Sequence, residues 1–511
     1  MSGTLALVYA MALAASFGLD AVAVPRAPLR RPWRAVLLHV AAVSFVGACV
    51  LIATSRPVFS AGIAAALVAL LAAISNAKSE SLREPFVFTD LSLFSQLFAH
   101  PRLYLPFLSA GKVVAIAAGV VLLVAGCLLD HAVAPARAAA AAVALVCLLI
   151  GVWLAARLPL TLDAAADQQR HGFFAVFVAY LLNGLRPATL KTFDAAARAS
   201  RFSSGSPSRT PDVVVIQSES FFDIRRATSA IAPSLLSAFD QARREAIAHG
   251  KLTVPAWGAN TMRTEFAVLT GIPADQLGYA RFYPYAFLRK VCPSLAGWFR
   301  RGGYRTLAVH PYHADFFGRD RVFPLMHFDA FMDIRSFDGR ACVGPYVADA
   351  AVADAIIDVL DAPREQPAFV FAMTMENHGP LHLETVVAGE AARYHSLGDD
   401  DAWHDLTAYL RHLDNANRMI ARLLDHLRQS DRETIVCFYG DHVPAMRRVF
   451  DKLGVLPDRS DYFVWKNDAS ANACAQDIRA EELGRILMSA VTHSNEPRAC
   501  DRNALAKSER A

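Results

Sequence analysis

Charge is almost absent from long stretches in the first part of this chain, and no other feature limits the fold as strongly. Between residues 35 and 75 the only Asp, Glu, Lys or Arg is Arg56, whereas residues 198–511 carry charges throughout. Apolar runs of this length are typical of segments that cross a lipid bilayer. The sequence therefore predicts a membrane part followed by a water-soluble part. A single soluble domain, a disordered chain and a transporter that lies in lipid over its whole length are excluded.

Five stretches are long enough to cross about 30 Å of hydrocarbon. They are residues 4–24, 35–54, 58–75, 113–129 and 138–156. Residues 84–108 and 173–185 are apolar and aromatic, which predicts interfacial or re-entrant helices. We therefore expect an N-terminal α-helical transmembrane bundle of about five spans over residues 1–160. An interfacial segment and a linker follow over residues 161–210.

The sequence leaves the orientation of this bundle open. The loop of residues 26–34 contains four arginines, and an excess of arginine usually marks a cytoplasmic loop. Five crossings from an outside N-terminus would leave the C-terminal domain in the cytoplasm. Either an interfacial segment also crosses, or the arginines do not report the orientation. Asp20, near the end of the first span, is expected to reach the interface or to have a function in the membrane.

The charge balance argues against nucleic acid as a partner. The chain has 51 Lys and Arg residues against 47 Asp and Glu residues, for a formal net charge of +4. Proteins that bind nucleic acid carry a basic patch or a basic stripe. No long basic stretch is present in this sequence.

The water-soluble part alternates strands with helices. The predicted strands, rich in β-branched residues and buried on both faces, are residues 213–216, 306–309, 368–373 and 434–439. The predicted helices between them are residues 294–301, 347–360 and 405–428. This alternation predicts an open, mostly parallel α/β sheet over residues 211–490, followed by a polar tail over residues 491–511.

Acidic and imidazole side chains follow the predicted strands at the point where each strand ends. They are Glu219, His310, Glu376, His378, Asp441 and His442. Ligands bind beyond the carboxyl ends of strands in such sheets. A Glu, an Asp and a His together can hold a divalent metal through oxygen and nitrogen atoms. A metal next to a hydroxyl group makes that hydroxyl a nucleophile toward phosphorus.

Thr261 and Thr264 are the candidates for this hydroxyl. Thr261 follows a turn-like Gly-Ala-Asn and precedes an apolar helical run, so it is expected at a helix N-terminus. Backbone N–H groups and the helix dipole favour an anionic phosphate there. The alternative is that Thr261 only caps the helix.

Five motifs, in this order, resemble one known family. They are PDVVVIQSESFFD, NTMRTEFAVLTG, GYRTLAVHPYHADFFGRDRVFP, FVFAMTMENHGP and IVCFYGDHVP. Together they resemble the lipoteichoic acid synthase and phosphoglycerol transferase branch of the sulfatase-like alkaline phosphatase superfamily. The resemblance covers about residues 211–467. It implies a C-terminal α/β sulfatase-like domain, and the five-span N-terminal region fits the same family.

The resemblance also implies a chemistry. Members form a covalent glycerophospho-threonine from phosphatidylglycerol and pass glycerol phosphate to an acceptor hydroxyl. By motif, Glu219, Thr261, Asp441 and His442 match the metal-binding set, and Thr261 is also the nucleophile. The cation is expected to be Mn²⁺, with Mg²⁺ or Zn²⁺ as alternatives.

Four residues are expected to contact the substrate. His378 matches a substrate-site histidine that either exchanges protons or only donates a hydrogen bond, and Arg319 matches the arginine that contacts the glycerophosphate group. Phe317 is expected to form a pocket wall. Arg263 departs from the smaller or acidic residue of the lipoteichoic acid enzymes and is expected to add a phosphate contact, which leaves the acceptor open.

The resemblance implies a multi-pass protein of the bacterial inner membrane with an extracytoplasmic catalytic domain. The donor would be a phosphatidylglycerol-type lipid, and the acceptor a cell-envelope glycan. The alternatives are a phosphoethanolamine transferase, a phosphodiesterase or sulfatase-type hydrolase, and a non-catalytic membrane protein that binds glycans. Residues 261–264 lack the Cys/Ser-x-Pro-x-Arg pattern that a sulfatase needs to make formylglycine.

The cysteines predict no zinc site, because no CxxC spacing occurs. Cys292 and Cys342 would form a disulfide if the domain is extracytoplasmic, and Cys474 and Cys500 are a second candidate pair. His310 and His313 are expected to support the pocket rather than to bind the metal.

Overall fold

The computed structural model of the chain describes residues 3–93, 110–133, 137–337, 339–467 and 474–492. The chain divides into two compact units. The first consists of Met1–Thr192 with Gly278–Tyr283, and the second of Phe193–Leu277 with Pro284–Ala511. The first unit is helical, and the second is built around a β-sheet.

Helices occupy all five predicted spans. The helices that precede the sheet are α1 (Gly3–Ala21), α2 (Trp33–Thr54), α3 (Pro57–Leu82), α4 (Ala110–Leu129), α5 (Arg137–Arg157), α6 (Ala164–His171), α7 (Phe173–Gly184) and α8 (Pro187–Arg198).

The predicted number of five spans is too high for the part of the chain that the structure describes. There, α2, α3 and α5 are long and apolar enough to cross a membrane. Helices α7 and α8 meet at a 69° bend and could count as one broken span, for a total of up to four. The described apolar parts of α1 and α4 are Ala6–Ala21 and Ile116–Leu129, within helices of 19 and 20 residues.

Small side chains allow α2, α5 and α7 to pack closely. Their shared buried cluster is Ala35, Leu38, Leu154, Ala155, Leu158, Ala175 and Ala179. Alanine at such positions brings helix backbones together, as is usual in membrane bundles.

Asp20 is buried inside the first unit, where its side chain has protein partners. Its carboxylate forms an ion pair with Arg31 and accepts a hydrogen bond from the backbone N–H of Phe174 at 2.6 Å. Arg34, in the same loop as Arg31, donates to the backbone oxygen of Arg157 at 3.0 Å. Two of the four arginines of residues 26–34 therefore have partners within the unit.

The predicted interfacial segment of residues 84–108 is described only in its first part. A short 3-10 helix covers Phe88–Leu93, and Phe86, Val87 and Phe88 are buried. Residues 94–108 lie outside the described residues.

One sheet forms the centre of the second unit. Its strands are β1 (Asp212–Ser218), β2 (Ala248–Thr253), β3 (Arg305–Val309), β4 (Ala330–Met332), β7 (Ala368–Met373), β8 (Thr434–Gly440), β9 (Arg459–Lys466), β10 (Cys474–Ala475) and β11 (Ile478–Arg479). Strands β5 (Cys342–Val343) and β6 (Tyr346–Val347) form a separate antiparallel pair. The order in the sheet is β10-β2-β9-β8-β1-β7-β3-β4, and β11 also pairs with β2. Strand β9 is antiparallel to both β2 and β8.

The four predicted strands are confirmed as the centre of this sheet. They are β1, β3, β7 and β8, which pair in parallel in the order β8-β1-β7-β3. All seven residues of β1 and of β8 are buried, as expected for strands covered on both faces. The carboxyl ends of four parallel strands therefore meet at one edge.

Helices cover both faces of the sheet. They are α9 (Ser237–Glu245), α10 (Thr261–Thr270), α11 (Pro284–Phe287), α12 (Leu295–Arg301), α13 (Arg319–Leu325), α14 (Asp349–Asp361), α15 (Ala391–Tyr394), α16 (His404–Arg428), α17 (Arg447–Leu453) and α18 (Leu483–Thr492). On one face, Ile356 of α14 and Leu413 of α16 share a core with Val214 of β1. On the other face, Phe299 of α12 stacks on Phe369 of β7 at 4.6 Å between ring centroids.

The predicted disulfide between Cys292 and Cys342 is wrong, because both cysteines are free thiols. Cys292 is buried, whereas Cys342 is exposed on the small β5–β6 pair, so the two thiols lie in different environments. Cys474 is disulfide-bonded. Cys500, its predicted partner, lies outside the described residues.

Candidate active site

Three potential metal ligands meet where β1 and β8 end. The two strands are parallel, and their last pair is Ser218 with Gly440. The next residues, Glu219 on one side and Asp441 with His442 on the other, therefore leave the sheet side by side. One ligand atom from each of these three residues lies within 4.8 Å of the other two, and all three are buried.

The chemistry of this cluster fits a divalent cation. The His442 Nε2 atom lies 3.6 Å from Glu219 Oε1 and 3.4 Å from Asp441 Oδ2. The buried Asp441 Oδ2 atom accepts no hydrogen bond from any described residue. Burial, and then the charge of Asp441, raise the pKa of Glu219 to about 8. A bound cation would compensate both carboxylates, and oxygen and nitrogen ligands suit Mn²⁺ and Zn²⁺.

Ser220 orients both carboxylates and was missed by the sequence analysis. Its backbone N–H donates to Asp441 Oδ1 at 2.8 Å, and its hydroxyl donates to Glu219 Oε1 at 3.0 Å. The residue has a φ of +54°, a left-handed conformation that costs free energy for any residue except glycine. The only signal in the sequence is a serine directly after the glutamate.

Thr261 is the first residue of α10, and its hydroxyl points to the cluster. Its Oγ1 atom lies 3.5 Å from His442 Nε2. Asn260, with a φ of +66°, occupies the N-cap position, so the alternative that Thr261 only caps the helix is wrong. Thr264, the other candidate hydroxyl, donates to the backbone oxygen of Asp441 at 2.7 Å. Thr264 therefore fastens α10 to the cluster, while Thr261 faces it.

The guanidinium group of Arg319 is fixed by Glu265 and His310. Nη2 and Nε of Arg319 donate to the Glu265 carboxylate at 2.8 and 3.0 Å, and Nη1 lies 3.1 Å from His310 Nε2. Burial, and then the charge of Arg319, hold the pKa of His310 well below its usual value. Neutral His310 can therefore accept the Nη1 hydrogen bond, which agrees with the expectation that it supports the pocket.

Glu265 is a second residue that the sequence analysis missed. It is fully buried, and it accepts hydrogen bonds from the Tyr285 hydroxyl at 2.5 Å and from Gln217 Nε2 at 3.1 Å in addition to those from Arg319. Its position in TEFAVLT, four residues after Thr261, was the available signal. Residues four apart lie on the same face of a helix.

Phe317 lies beside Arg319, and Arg263 lies on the helix of Thr261. Phe317 has a φ of +58°, and its ring centroid is 5.3 Å from the guanidinium carbon of Arg319. Arg263 is buried on α10, two residues after Thr261. Arg263 therefore lies on the helix that begins with the predicted nucleophile, and Phe317 lies two residues before the helix that begins with the predicted substrate arginine.

His378 lies in the loop after β7, where two oxygens contact its ring. Its Nδ1 atom is 2.7 Å from the backbone oxygen of Gly379 and 3.2 Å from the hydroxyl of Tyr346. Because a carbonyl oxygen only accepts, Nδ1 carries the proton in the 2.7 Å contact. Burial lowers the pKa of His378. The neutral ring therefore keeps a basic Nε2 atom. Tyr346, on the small β5–β6 pair, was not found from the sequence.

The predicted site residues thus form three groups. Glu219, Thr261, Asp441 and His442 form the first, Arg319 with Phe317 the second, and His378 the third. Burial raises the pKa of Glu219 although the charge of Arg319 acts in the opposite direction. Burial lowers the pKa of His378 although the charge of Asp441 acts in the opposite direction. Charges in one group therefore act on titratable side chains in another.

Among curated proteins, the chain is similar to the capsular polysaccharide biosynthesis protein RkpI of Rhizobium meliloti strain 1021. The two are 28% identical over 467 residues, which cover 86% of this chain and 83% of RkpI. The similarity therefore extends over both the helical part and the sheet domain.

Among solved structures, the integral membrane lipooligosaccharide phosphoethanolamine transferase EptA of Neisseria meningitidis has a similar fold. The match covers 94% of this chain and 95% of EptA, with a TM-score of 0.55 and 13% identity. The phosphoglycerol transferase GacH of Streptococcus pyogenes matches 62% of this chain and 89% of its own, with a TM-score of 0.45 and 20% identity.

The family of the sheet domain follows from its sequence as a whole. Residues 211–491 match the Sulfatase family. This range is more than half of the 511 residues, and it contains the cluster at the ends of β1 and β8 together with Thr261. The chain therefore belongs to the sulfatase family, within the alkaline phosphatase superfamily.

Proposed function

We propose that this protein is a membrane-anchored, metal-dependent phosphotransferase that moves glycerol phosphate from phosphatidylglycerol to a cell-envelope glycan. The main support is the position of Thr261. Its hydroxyl lies 3.5 Å from Nε2 of the candidate ligand His442, at the N-terminus of α10. When bound, a divalent cation would lower the pKa of this hydroxyl and offset the charge of the phosphate.

The reaction has two displacements at phosphorus. In the first, the Thr261 oxygen forms a bond to phosphorus, the bond from phosphorus to the diacylglycerol oxygen breaks, and diacylglycerol leaves with the proton of the hydroxyl. In the second, the oxygen of an acceptor hydroxyl bonds to phosphorus, the bond to Thr261 breaks, and the acceptor's proton restores the hydroxyl. Helix α10 supports both steps because its first N–H groups and its dipole favour the anionic phosphate.

His378 is the proposed general base for the second displacement. Its Nδ1–H group is engaged by the Gly379 carbonyl, and its lowered pKa keeps Nε2 unprotonated near neutral pH. An unprotonated imidazole nitrogen accepts a proton from the attacking hydroxyl. This arrangement favours proton exchange over the alternative in which His378 only donates a hydrogen bond to the phosphate.

Arg319 is proposed to hold the glycerophosphate group, with Phe317 beside it and Arg263 as an added contact. The Arg319 guanidinium has five N–H donors. Glu265 engages Nε and Nη2 of this group and His310 engages Nη1, so its orientation is fixed. The fixed orientation of the group reduces the entropy that is lost when a phosphate binds.

The proposed acceptor is a capsular or related envelope glycan, which takes its support from the name of RkpI. A phosphoethanolamine transferase uses the same threonine and metal chemistry and remains the alternative for the donor. The proposed location is the bacterial inner membrane, with the catalytic domain outside the cytoplasm. The disulfide at Cys474 supports this side of the membrane, since disulfides persist in oxidising compartments.

Turnover of two labelled donor lipids by the purified full-length protein tests this function. The protein would receive Mn²⁺ with phosphatidylglycerol or with phosphatidylethanolamine, and release of labelled diacylglycerol would be followed. We expect release from phosphatidylglycerol by the wild type, none by Thr261→Ala, and wild-type rates for the exposed control Thr253→Ala. Turnover of phosphatidylethanolamine without turnover of phosphatidylglycerol would show that phosphatidylethanolamine is the donor. Equal rates for wild type and Thr261→Ala would remove the covalent mechanism.

A further inference from the structure

Behind the loop that carries His378 lies a buried chain of ionisable side chains, Glu376, His412 and Glu384. His412 is fully buried on α16, with Nδ1 3.0 Å from Glu376 Oε1 and Nε2 3.0 Å from Glu384 Oε1. Glu376 is 1% exposed. Two carboxylates of the segment between β7 and α15 therefore enclose one imidazole in the interior of the catalytic domain.

Glu376 joins its loop to two helices. Its Oε2 atom accepts from the backbone N–H of Asp349, the first residue of α14, at 2.7 Å. Its Oε1 atom accepts from His412 Nδ1 at 3.0 Å and from Asn415 Nδ2 at 2.5 Å, both on α16. Buried carboxylates are costly unless several donors stabilise them, and Glu376 has three. The proposed base His378 follows only two residues later.

The same segment also reaches the candidate metal ligands. Thr374, two residues before Glu376, accepts a hydrogen bond from the backbone N–H of Glu219 at 3.0 Å through its hydroxyl oxygen. Its own backbone N–H donates to the oxygen of Gln217 at 3.0 Å. Residues 374–378 therefore run from the backbone of a metal ligand, past the carboxylate of Glu376, to the proposed base.

His412 carries the charge that compensates this arrangement. Burial lowers its pKa, but the two carboxylates of Glu376 and Glu384 beside its ring outweigh burial and raise the pKa of His412 to about 9. Other charged groups lie around His412 and its two carboxylates. Arg411 of α16 pairs with Glu384 at 2.8 Å, and burial and then Glu376 raise the pKa of Asp349 on α14 well above its usual range. At neutral pH, His412 is therefore protonated and lies between the two carboxylates.

We propose that Glu376 and His412 are positioning residues that hold the His378 loop in its reactive arrangement against α14 and α16. This assignment rests on the proposed function, in which His378 exchanges protons with the substrate. Neither residue touches the reacting atoms. Both act through the backbone between Glu376 and His378, because a carboxylate tied to two helices leaves that backbone little freedom to move.

Two measurements on the full-length protein test this role, with Glu390→Gln as the matched control. Glu390 pairs with the same helix through Arg411, but it does not contact Glu376 or His412. The first measurement is turnover of phosphatidylglycerol with Mn²⁺. We expect at least a tenfold lower kcat for Glu376→Gln and for His412→Gln, with KM and Mn²⁺ affinity within twofold of the wild type. We also expect the wild-type kcat to fall above about pH 9, where His412 loses its proton, and this fall to be absent from His412→Gln.

The second measurement does not depend on the substrate. The rate at which diethyl pyrocarbonate modifies His378 would be mapped by peptide mass spectrometry, with His249 as internal reference. We expect at least a fivefold faster modification of His378 in Glu376→Gln and no change in Glu390→Gln. Should Glu376→Gln fail to fold, Asn415→Ala removes one donor to Glu376 and is expected to give a smaller effect in the same direction.

The outcomes separate the positioning role from the proposed function. If the wild type turns over neither lipid, the proposed function fails, and equal modification of His378 in wild type and Glu376→Gln overturns the positioning role as well. If the wild type is active and Glu376→Gln has the same kcat, only the positioning role is overturned. A parallel loss of melting temperature and activity, with unchanged His378 modification and pH profile, would assign Glu376 to stability alone.

Discussion

The guanidinium group of Arg319 is buried against the carboxylate of Glu265, with Nη2 2.8 Å from Oε2. The two residues lie on α13 and α10, 54 positions apart in the sequence. Glu265 follows Thr261 by four residues on α10. The helix that begins with the proposed nucleophile therefore also anchors the proposed phosphate-binding arginine, so both groups keep a fixed relation to each other.

Removal of Glu265 is expected to destabilise the catalytic domain strongly. Glu265→Ala leaves the buried Arg319 charge without its partner, which costs about 3–5 kcal/mol. Equilibrium unfolding of the full-length protein in urea would measure the loss of free energy, with the exposed Glu365→Ala as control. A loss below about 1 kcal/mol would contradict the buried ion pair.

A serine at position 261 is expected to keep part of the activity. Thr261→Ser retains the nucleophilic hydroxyl, so turnover should remain within about tenfold of the wild type. Thr261→Ala removes the nucleophile and should lower kcat by about a thousandfold or more. Initial rates of diacylglycerol release would distinguish the two variants. If both variants were equally inactive, a hydroxyl at position 261 would not be sufficient for activity.

Chelation is expected to stop turnover and lower the melting temperature together. A cation present at 100 times its Kd stabilises the native state by about 2.7 kcal/mol, which EDTA would remove. Differential scanning fluorimetry with and without EDTA, followed by readdition of Mn²⁺, provides the measurement. Asp441→Asn serves as control, since its melting temperature should respond little to either treatment.

Affinity for Mn²⁺ is expected to rise with pH up to about 8. Burial, and then Asp441, raise the pKa of Glu219 to about 8, so below this pH a proton competes with the cation for its carboxylate. The apparent affinity should therefore fall by up to about tenfold for each pH unit below 8 and level off above it. Calorimetric titration between pH 6 and pH 9 would test this, and Glu219→Gln should bind more weakly at each pH without the same slope.

The C-terminal domain is expected outside the cytoplasm. A reporter fused after Ala511 that is active only in the periplasm should give signal in intact bacteria, because a lipid donor and an envelope glycan meet on that side of the membrane. A second fusion with a reporter active only in the cytoplasm is the control. Signal from the cytoplasmic reporter would reverse the proposed topology.

The sequence was most informative where acidic and imidazole residues directly follow predicted strands. The strands β1, β3, β7 and β8 are apolar runs rich in β-branched residues, and acidic and imidazole residues were found directly after them. The family resemblance then matched the residue after β1 and the pair after β8 to the metal-binding set. Parallel strands bring their carboxyl ends to one edge, so Glu219, Asp441 and His442 meet as expected.

The partners of those residues could not be found in the same way. Ser220 depends on a left-handed backbone conformation, and Glu265 becomes important only because α13 brings Arg319 against it. Glu376 stood in a recognised motif, but its partner His412 is 36 positions away on another helix. Hydrogen bonds between distant segments follow from packing, which local patterns do not record.

Two predictions, one from hydropathy and one from cysteine spacing, were corrected by the structure. Five apolar stretches were predicted to span, but of the described helices only three are long and apolar enough, or four with the bent pair. Cys292 and Cys342 flank one motif in the sequence, yet one is buried and the other exposed. Sequence spacing does not report the distance or the environment that folding creates.

The sequence by itself determined the division into an apolar helical part and an α/β domain of the sulfatase family, and it predicted the metal-binding set with its threonine. Those features depend on apolar runs and on short motifs, which are local properties of the chain. Only the tertiary structure decided that Thr261 faces His442, that Glu265 fixes Arg319, and that Glu376 joins the His378 loop to α14 and α16. Each of these contacts joins segments far apart in the chain, and their geometry exists only once the helices have packed on the sheet.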